Sequence, residues 1–284
     1  MIDLHVHTTH SDGTFAPDEV VRYAKEKGLS AIAITDHDCV SGMNKAQEAG
    51  NTLGINVIPG IELSANYEAQ DFHIVGLMID IHNTRLNETI EKQSKAVEKC
   101  TERLFERLII HGLNHISFDE FRTQGAPSSK RHLKQYMASA NVSLNPKELE
   151  KHIGNEGIAY VLVPLKESLA VADAISTIHD AGGLAIWAHP FTNKINQFDR
   201  EELAQTAIAF KAMDLDGIEA YWPNLWQEDL DYIVALAEKH KFLISGGSDF
   251  HGDKAQSDLG NGRIPYSVLS AMLTARANIR RFHE

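Results

Sequence analysis

Histidines and acids in this chain fall in short groups just after apolar runs, and that placement constrains the fold more than any other feature. His5-Val6-His7 and Ser11-Asp12-Gly13 follow Ile2-Asp3-Leu4. Thr35-Asp36-His37-Asp38 follows the run from Ala31 to Ile34. Ala188-His189-Pro190 follows Leu184 to Trp187, and Ser248-Asp249-Phe250-His251 follows Phe242-Leu243-Ile244. Short apolar runs of this kind read as strands, and the helical stretches between them read as parallel βα units. In such folds ligands gather at the carboxyl ends of the strands. Imidazoles and carboxylates delivered by several strand ends to one rim are what a cluster of divalent metals requires. The expectation is an α/β protein acting as a multinuclear metal hydrolase.

A chain of 284 residues can bury one large core, and α/β barrels of this size commonly form one domain. Its formal charge of −12 argues against duplex DNA as a partner, because a duplex needs a basic track for its phosphates. A small phosphorylated substrate, held locally by cations, remains compatible with that charge. No run approaches the roughly 18 apolar residues of a membrane span, so no membrane association is expected. The chain passes from Met1 directly into a strand, and its two cysteines, Cys39 and Cys100, cannot build a disulfide framework. A reducing cytoplasm is the expected setting. The sequence leaves the oligomeric state open.

The first third alternates cleanly: a strand to Val6, a helix from about Pro17 to Lys27 ended by Gly28, a strand over Ala31 to Thr35, and a helix with Ser41 as N-cap. Strands over Asn56 to Ile61 and Phe72 to Ile79 follow. From Asn83 the pattern becomes helical and charged. It suggests a long helix to His111 and shorter ones at 117–122, 128–140 and 146–153. Residues 83–161 therefore read as a helical insertion, flanked by a barrel domain formed by 1–82 and 162–284. The βα pattern resumes with a helix over Ser168 to Asp180, then strands into His189, over Gly217 to Tyr221 and over Phe242 to Ser245.

Side chains at i and i+2 of a strand share a face, so His5 and His7 can reach one ion. Asp249 and His251 repeat that spacing at the last strand, and the two pairs become neighbours if a barrel closes. Glu62 ends one strand and His73 opens the next, which makes both candidate ligands. Asp36 and Asp38 flank His37, where one could orient an imidazole. His10 is divided between substrate contact and a loop role. His111, His115, His152, His179, His240 and His283 read as surface residues, and His82 as loop or rim.

The set His5, His7, Asp12, His37, Glu62, His73, His189, Asp249 and His251 resembles the nine-ligand signature of the PHP (polymerase and histidinol phosphatase) family. The motif order H-x-H, SDG, TDHD, GIE, FHI, AHP and SDFHG carries the resemblance over essentially the whole chain. It implies a distorted (β/α)7 barrel with an inserted small α-helical subdomain, and two to three divalent ions drawn from manganese, iron and zinc. Carried over residue by residue, His5, His7, Glu62 and Asp249 would hold one ion. Asp12, His37 and His251 would hold a second, and Glu62, His73 and His189 a third, so that Glu62 bridges. Asp12, Glu62, Asp249 and His251 would take part in catalysis.

The chain is most similar to stand-alone nucleotide phosphoesterases: nucleoside 3′,5′-bisphosphate phosphatases and 5′-to-3′ exoribonucleases. That subgroup usually carries Arg-Pro-His in its insertion for phosphate recognition, and this chain reads Lys130-Arg131-His132. Lys130 and Arg131 are therefore the expected phosphate contacts, presented by the insertion as a lid, with Asp12, Ser64 and Asn66 as further substrate contacts on the rim. Lysine supplies a point charge where arginine supplies a bidentate fork. After Gly217-Ile218-Glu219 many relatives carry a histidine close to a proline. Here Tyr221-Trp222-Pro223-Asn224-Leu225 stands instead, with Trp222 divided between a base-stacking and a core role. Competing readings are a histidinol-phosphate-type phosphatase, an amidohydrolase-type enzyme and a non-catalytic metal-binding module. Amidohydrolases commonly place a lysine where Glu62 stands, and a non-catalytic module would have lost ligands.

Overall fold

The computed structural model describes residues 1–113, 116–123, 133, 136–137, 168–191, 198–253 and 257–283. The strands are β1 (Ile2–Val6), β2 (Ala31–Ile34), β3 (Asn56–Tyr67), β4 (Gln70–Leu77), β5 (Leu184–Trp187), β6 (Gly217–Tyr221) and β7 (Leu243–Gly246). They form a single curled sheet in chain order, the distorted α/β barrel architecture. Around it stand α1 (Pro17–Glu26), α2 (Met43–Leu53), α5 (Val171–Asp180), α6 (Arg200–Lys211), α7 (Gln227–His240) and α8 (Tyr266–His283). Between β4 and α5 the described residues add α3 (Thr84–Ile110) and α4 (Phe118–Thr123).

Strands β1, β2 and β5 are buried along their whole length; β2 and β5 are unbroken apolar runs, as strands covered on both faces require, while β1 also carries the buried Asp3 and His5. In β2 the alternation is visible: Ala31 and Ala33 join one apolar cluster with Leu184, Ile186 and Leu269, while Ile32 and Ile34 join another with Val20, Val21 and Met43. The two edges of the sheet are joined just past the strand ends. The His7 N–H donates to the Phe250 carbonyl at 2.9 Å, and the Asp249 N–H to the His5 carbonyl at 3.0 Å.

The expectation of uniformly parallel units needs correction. β4 runs antiparallel to both β3 and β5, while the other neighbours are parallel. The reason lies in the two residues Glu68 and Ala69, both with positive φ (51° and 63°), which join β3 and β4 as a hairpin. β3 also runs six residues past the expected end at Ile61 because its second half pairs with β4.

Pro17 opens α1 as expected. Ser41 does not cap α2: Gly42 occupies the N-cap, without a side-chain bond. The Ser41 hydroxyl is engaged instead by His10 Nδ1 at 2.6 Å and Cys39 Sγ at 3.0 Å. His10 Nδ1 is thereby engaged within the loop region. Of the histidines read as surface residues, His179 is only about one-third exposed and bonds Asp216 at 2.7 Å. His240 is half-buried with Nε2 enclosed.

The chain divides into two compact units, Met1–Thr89 with Leu169–Glu284, and Ile90–Ser168. The division at α3 falls later than residue 83, because the helix start is fastened to the first unit. Asn83 Oδ1 accepts the Leu86 N–H at 3.0 Å, Asn83 Nδ2 reaches the Asp180 carbonyl at 2.9 Å, and Arg85 pairs with Asp180. The described part of the second unit is helical. Its apolar centre comprises Phe105, Leu108, Phe121, Leu133, Tyr136 and Met137. Leu133, Tyr136 and Met137 are helical; the rest of the expected helices at 128–140 and 146–153 lies outside the described residues. No helix among the described residues is long and apolar enough to cross a membrane.

Candidate metal centre

The expected ligands converge on Glu62. This side chain is fully buried at the point where β3 leaves β2 and takes up β4. Its Oε2 lies 3.1 Å from His5 Nε2, 3.1 Å from His7 Nε2 and 3.2 Å from His37 Nδ1. Its Oε1 lies 2.9 Å from His73 Nδ1 and 3.0 Å from His189 Nε2. Asp249 Oδ1 adds contacts of 3.4 Å to His5 and 3.0 Å to His7. On the other side of His7, Asp12 Oδ1 stands 3.8 Å from its Nδ1 and 3.0 Å from His251 Nε2.

Three groups of potential ligand atoms result: His5, His7, Glu62 and Asp249; His7, Asp12, His37 and His251; and His37, Glu62 and His73. Within each, the atoms lie within 4.8 Å of one another. His189 belongs to none of the three groups but borders the third, with Nε2 3.1 Å from His73 Nδ1 and 3.0 Å from Glu62 Oε1.

Backbone pairing sets this convergence. β2 and β3 continue to pair past the end of β2, with Asp38 N–H on the Glu62 carbonyl at 2.9 Å and Glu62 N–H on the Asp36 carbonyl at 3.2 Å. That holds His37 beside Glu62. The antiparallel β4 brings the start of a strand, not its end, to this rim, and His73 arrives opposite Ser64. Asp38, His189 and Asp249 take positive φ (47°, 35° and 52°), a conformation that non-glycine residues adopt at a cost and that clusters at functional sites.

The donor set fits cations. Among the described residues, Asp12 Oδ1, His37 Nδ1 and Glu62 Oε2 are buried against other groups of the cluster without well-formed hydrogen bonds, and buried polar atoms are rarely left so. His5 Nε2 and His7 Nε2 face each other at 3.1 Å, an approach that suits two lone pairs directed at a shared positive charge. Electrostatics agree. Burial opposes a charged His5, but Glu62, Glu219 and Asp249 together outweigh it and hold its pKa well above the ordinary value. His7 is likewise raised to about 10 against burial, by Asp249 and Glu62. Glu62 and Asp249 are held well below the carboxylate range by the surrounding histidines in spite of burial. His37 is pushed down to about 3 by burial and by its histidine neighbours. Such a cluster calls for positive charge, which protons or bound cations can supply.

Glu219, on β6, joins the site although the sequence assigns it no role. Its Oε1 lies 3.0 Å from His5 Nδ1, and its Oε2 accepts the His189 backbone N–H at 2.7 Å. The available signal was the repetition of Gly-Ile-Glu at 60–62 and 217–219. Asp3 was also overlooked. It is buried and accepts N–H groups of Ser248 at 2.9 Å and Gly260 at 2.8 Å, so it braces the segment carrying Asp249.

Asp36 accepts from the Thr8 N–H, the Thr8 hydroxyl and the Ser11 hydroxyl, at 2.7, 2.7 and 2.6 Å. It therefore positions the loop that bears Asp12, and it reaches His7 only through Ser11, whose hydroxyl lies 3.4 Å from His7 Nδ1. Asp38 receives the Ser64 N–H at 2.9 Å, and burial raises its carboxyl to about 6.

Ser64 stands beside His73 across the hairpin. Asn66 pairs with Asp71, ~7 Å further along β3. Lys130 and Arg131 lie outside the described residues. Trp222 is half-exposed, its ring edge-on to His189 at 5.6 Å and to His5 at 6.5 Å.

A family model described as PHP domain matches residues 3–153. The chain is 30% identical over 260 residues to a 5′-3′ exoribonuclease of Haemophilus influenzae, covering 91% of this chain and 92% of the relative. It is 27% identical over 255 residues to a 3′,5′-nucleoside bisphosphate phosphatase of Chromobacterium violaceum, covering 88% and 87%. A solved structure from Bifidobacterium adolescentis, assigned as a metal-dependent phosphoesterase, superposes with a TM-score of 0.83 at 26% identity, covering 97% and 96% of the two chains.

Proposed function

The chain belongs to the PHP domain family, and from that premise we propose that it is a metal-dependent phosphoesterase of nucleotides, acting on nucleoside 3′,5′-bisphosphates or on the 5′ ends of short RNA. The observation that carries this reading is Glu62, whose two oxygens face two different sets of imidazoles. A carboxylate so placed would serve a multinuclear centre of two to three ions drawn from manganese, iron and zinc, held by His5, His7, Asp12, His37, Glu62, His73, His189, Asp249 and His251, and such ions would supply an activated water and charge withdrawal from phosphoryl oxygens.

The chain's own contributions follow from burial. His5, His7 and Glu62 are fully enclosed and form the floor of the site, while Asp12, Asp249 and His251 retain 19, 26 and 16% side-chain exposure. His37 and His73 are also open, at 26 and 32%, so an incoming phosphoryl group would meet Asp12, His37, His73, Asp249 and His251 before the enclosed floor. Glu219 fixes the tautomer of His5 by accepting from Nδ1, which leaves Nε2 as the ligand atom. Ser64, beside His73, is placed to contact substrate oxygen; Asn66 is the more remote candidate. Lys130 and Arg131 would hold a second phosphate, so that remote binding positions the scissile one. An acidic chain tolerates such a substrate because only one or two phosphates need recognition. A cytoplasmic setting belongs to the same reading, since Cys39 and Cys100 both remain thiols.

The test is phosphate and nucleotide release by the protein reconstituted separately with manganese, iron and zinc. Substrates would be a nucleoside 3′,5′-bisphosphate, a 5′-phosphorylated oligoribonucleotide and histidinol phosphate. The reading expects the nucleotide substrates to have the higher kcat/KM. Preference for histidinol phosphate would overturn the substrate assignment, and inactivity towards all three with every metal would overturn the phosphoesterase reading.

A further inference from the structure

The loop that follows β6 carries two tryptophans. Trp222 leans edge-on against the rings of His189 and His5. Trp226 is 80% exposed. A turn joins them: the Leu225 N–H meets the Trp222 carbonyl at 3.4 Å and Asn224 takes φ 64°. Leu225 is thus folded back against Trp222, with Trp226 one residue beyond. The strand end supporting this loop holds Glu219, the partner of His5 and His189, so the tryptophans grow out of the rim of the metal centre.

Trp226 also occupies the N-cap of α7, and its side chain makes no capping bond there. Ser, Thr, Asp or Asn at an N-cap stabilises a helix over residues that cannot cap. The position therefore forgoes a helix-stabilising residue and turns a large aromatic surface to solvent.

The polar surroundings narrow what that surface can meet. Glu228 and Asp229 begin α7 beside it, and the nearby Arg200 is engaged by Asp229 at 2.9 Å. Phosphates are poorly served here, whereas a flat uncharged ring is well served. Bases of single strands stack on such aromatics without sequence preference.

Resting on the phosphoesterase reading above, we propose that Trp226 and Trp222 stack bases of a single-stranded oligonucleotide whose scissile phosphodiester lies on the metal centre. The pair is then a specificity determinant, favouring oligomers over isolated nucleotides through base stacking and not through phosphate contact.

The experiment compares kcat/KM for a 5′-phosphorylated tetraribonucleotide with that for a nucleoside 3′,5′-bisphosphate, in metal-replete wild type, Trp226→Ala, Trp226→Phe and Trp226→Asp. The ratio of the two should fall about tenfold in Trp226→Ala, in line with ~1–3 kcal/mol per stacked base, and Trp226→Phe should keep most of it. Trp226→Asp should lose the preference while raising Tm, because it supplies the missing cap. A tetranucleotide lacking its bases should be cleaved equally by wild type and Trp226→Ala. An unchanged ratio in Trp226→Ala, or an equal fall on the base-free substrate, would overturn the stacking role and leave the phosphoesterase reading intact. Failure of the wild type on both nucleotide substrates would overturn both.

Discussion

Glu219 reaches His5 from behind: its Oε1 meets His5 Nδ1 at 3.0 Å, on the ring edge opposite the Nε2 that faces Glu62 and His7. Its other oxygen takes the His189 backbone N–H at 2.7 Å, so one carboxylate orders two expected ligands. Glu219→Ala should weaken metal binding ~10–100-fold, the usual cost of losing an outer partner of a ligand histidine. Competition titration with a chromophoric chelator reads this directly; an unchanged affinity would reduce Glu219 to packing.

Glu62 and Asp36 should fail differently. Glu62→Gln removes the negative charge that faces five histidines and should lower the metal content per chain, read by elemental analysis. Asp36→Asn disturbs three bonds to Thr8 and Ser11 and should chiefly lower Tm. Equal metal loss in the two variants would contradict the bridging role of Glu62.

His179, remote from the metal centre, gives a pH signature. Its hydrogen bond to Asp216 raises its pKa above 6.5, against partial burial. A folded value above the unfolded one means that the protonated form is bound more tightly in the folded state. The stabilisation is therefore fully present below pH 6.5 and is lost as pH rises through the raised folded value. Denaturant unfolding of wild type and His179→Gln should differ most in mildly acidic buffer and converge in alkaline buffer. A gap that widened with pH would refute the ion pair.

Gly247 sets a steric limit. A Cβ there would collide with His5 Cβ and come within 2.6 Å of the His5 backbone nitrogen. Gly247→Ala should cost at least the ~1–3 kcal/mol typical of overpacking and should also displace a ligand. Tm and metal content are expected to fall together. A fully metallated variant of normal Tm would show that the sheet can open locally at no cost.

Much of this was legible because metal chemistry uses few residue types at short spacings. His5 with His7, and Asp249 with His251, announce themselves by i and i+2 spacing after apolar runs. The direction of β4 was not legible, since an apolar run carries no sign of polarity and the turn at Glu68 and Ala69 contains no glycine. Ser41 looked like a cap because hydroxyls favour that position, yet His10 and Cys39 compete for it. Glu219 escaped because a glutamate at a strand end is usually solvated, and only the fold shows that its two oxygens are claimed.

The bonds from His7 to Phe250 and from Asp249 to His5 also impose an order in time. His5, His7, Asp12, His37, Glu62 and His73 leave the ribosome early, whereas their partners at 189, 249 and 251 follow more than a hundred residues later. Chains fold from the amino end as synthesis proceeds, so a nascent chain presents six of the candidate ligands before the ring can close. A cation captured at that stage would find an open, incomplete shell, and the choice among competing metals falls to the moment when the last strand docks. Cells that make this protein under different metal supplies should therefore yield differently loaded molecules from identical chains.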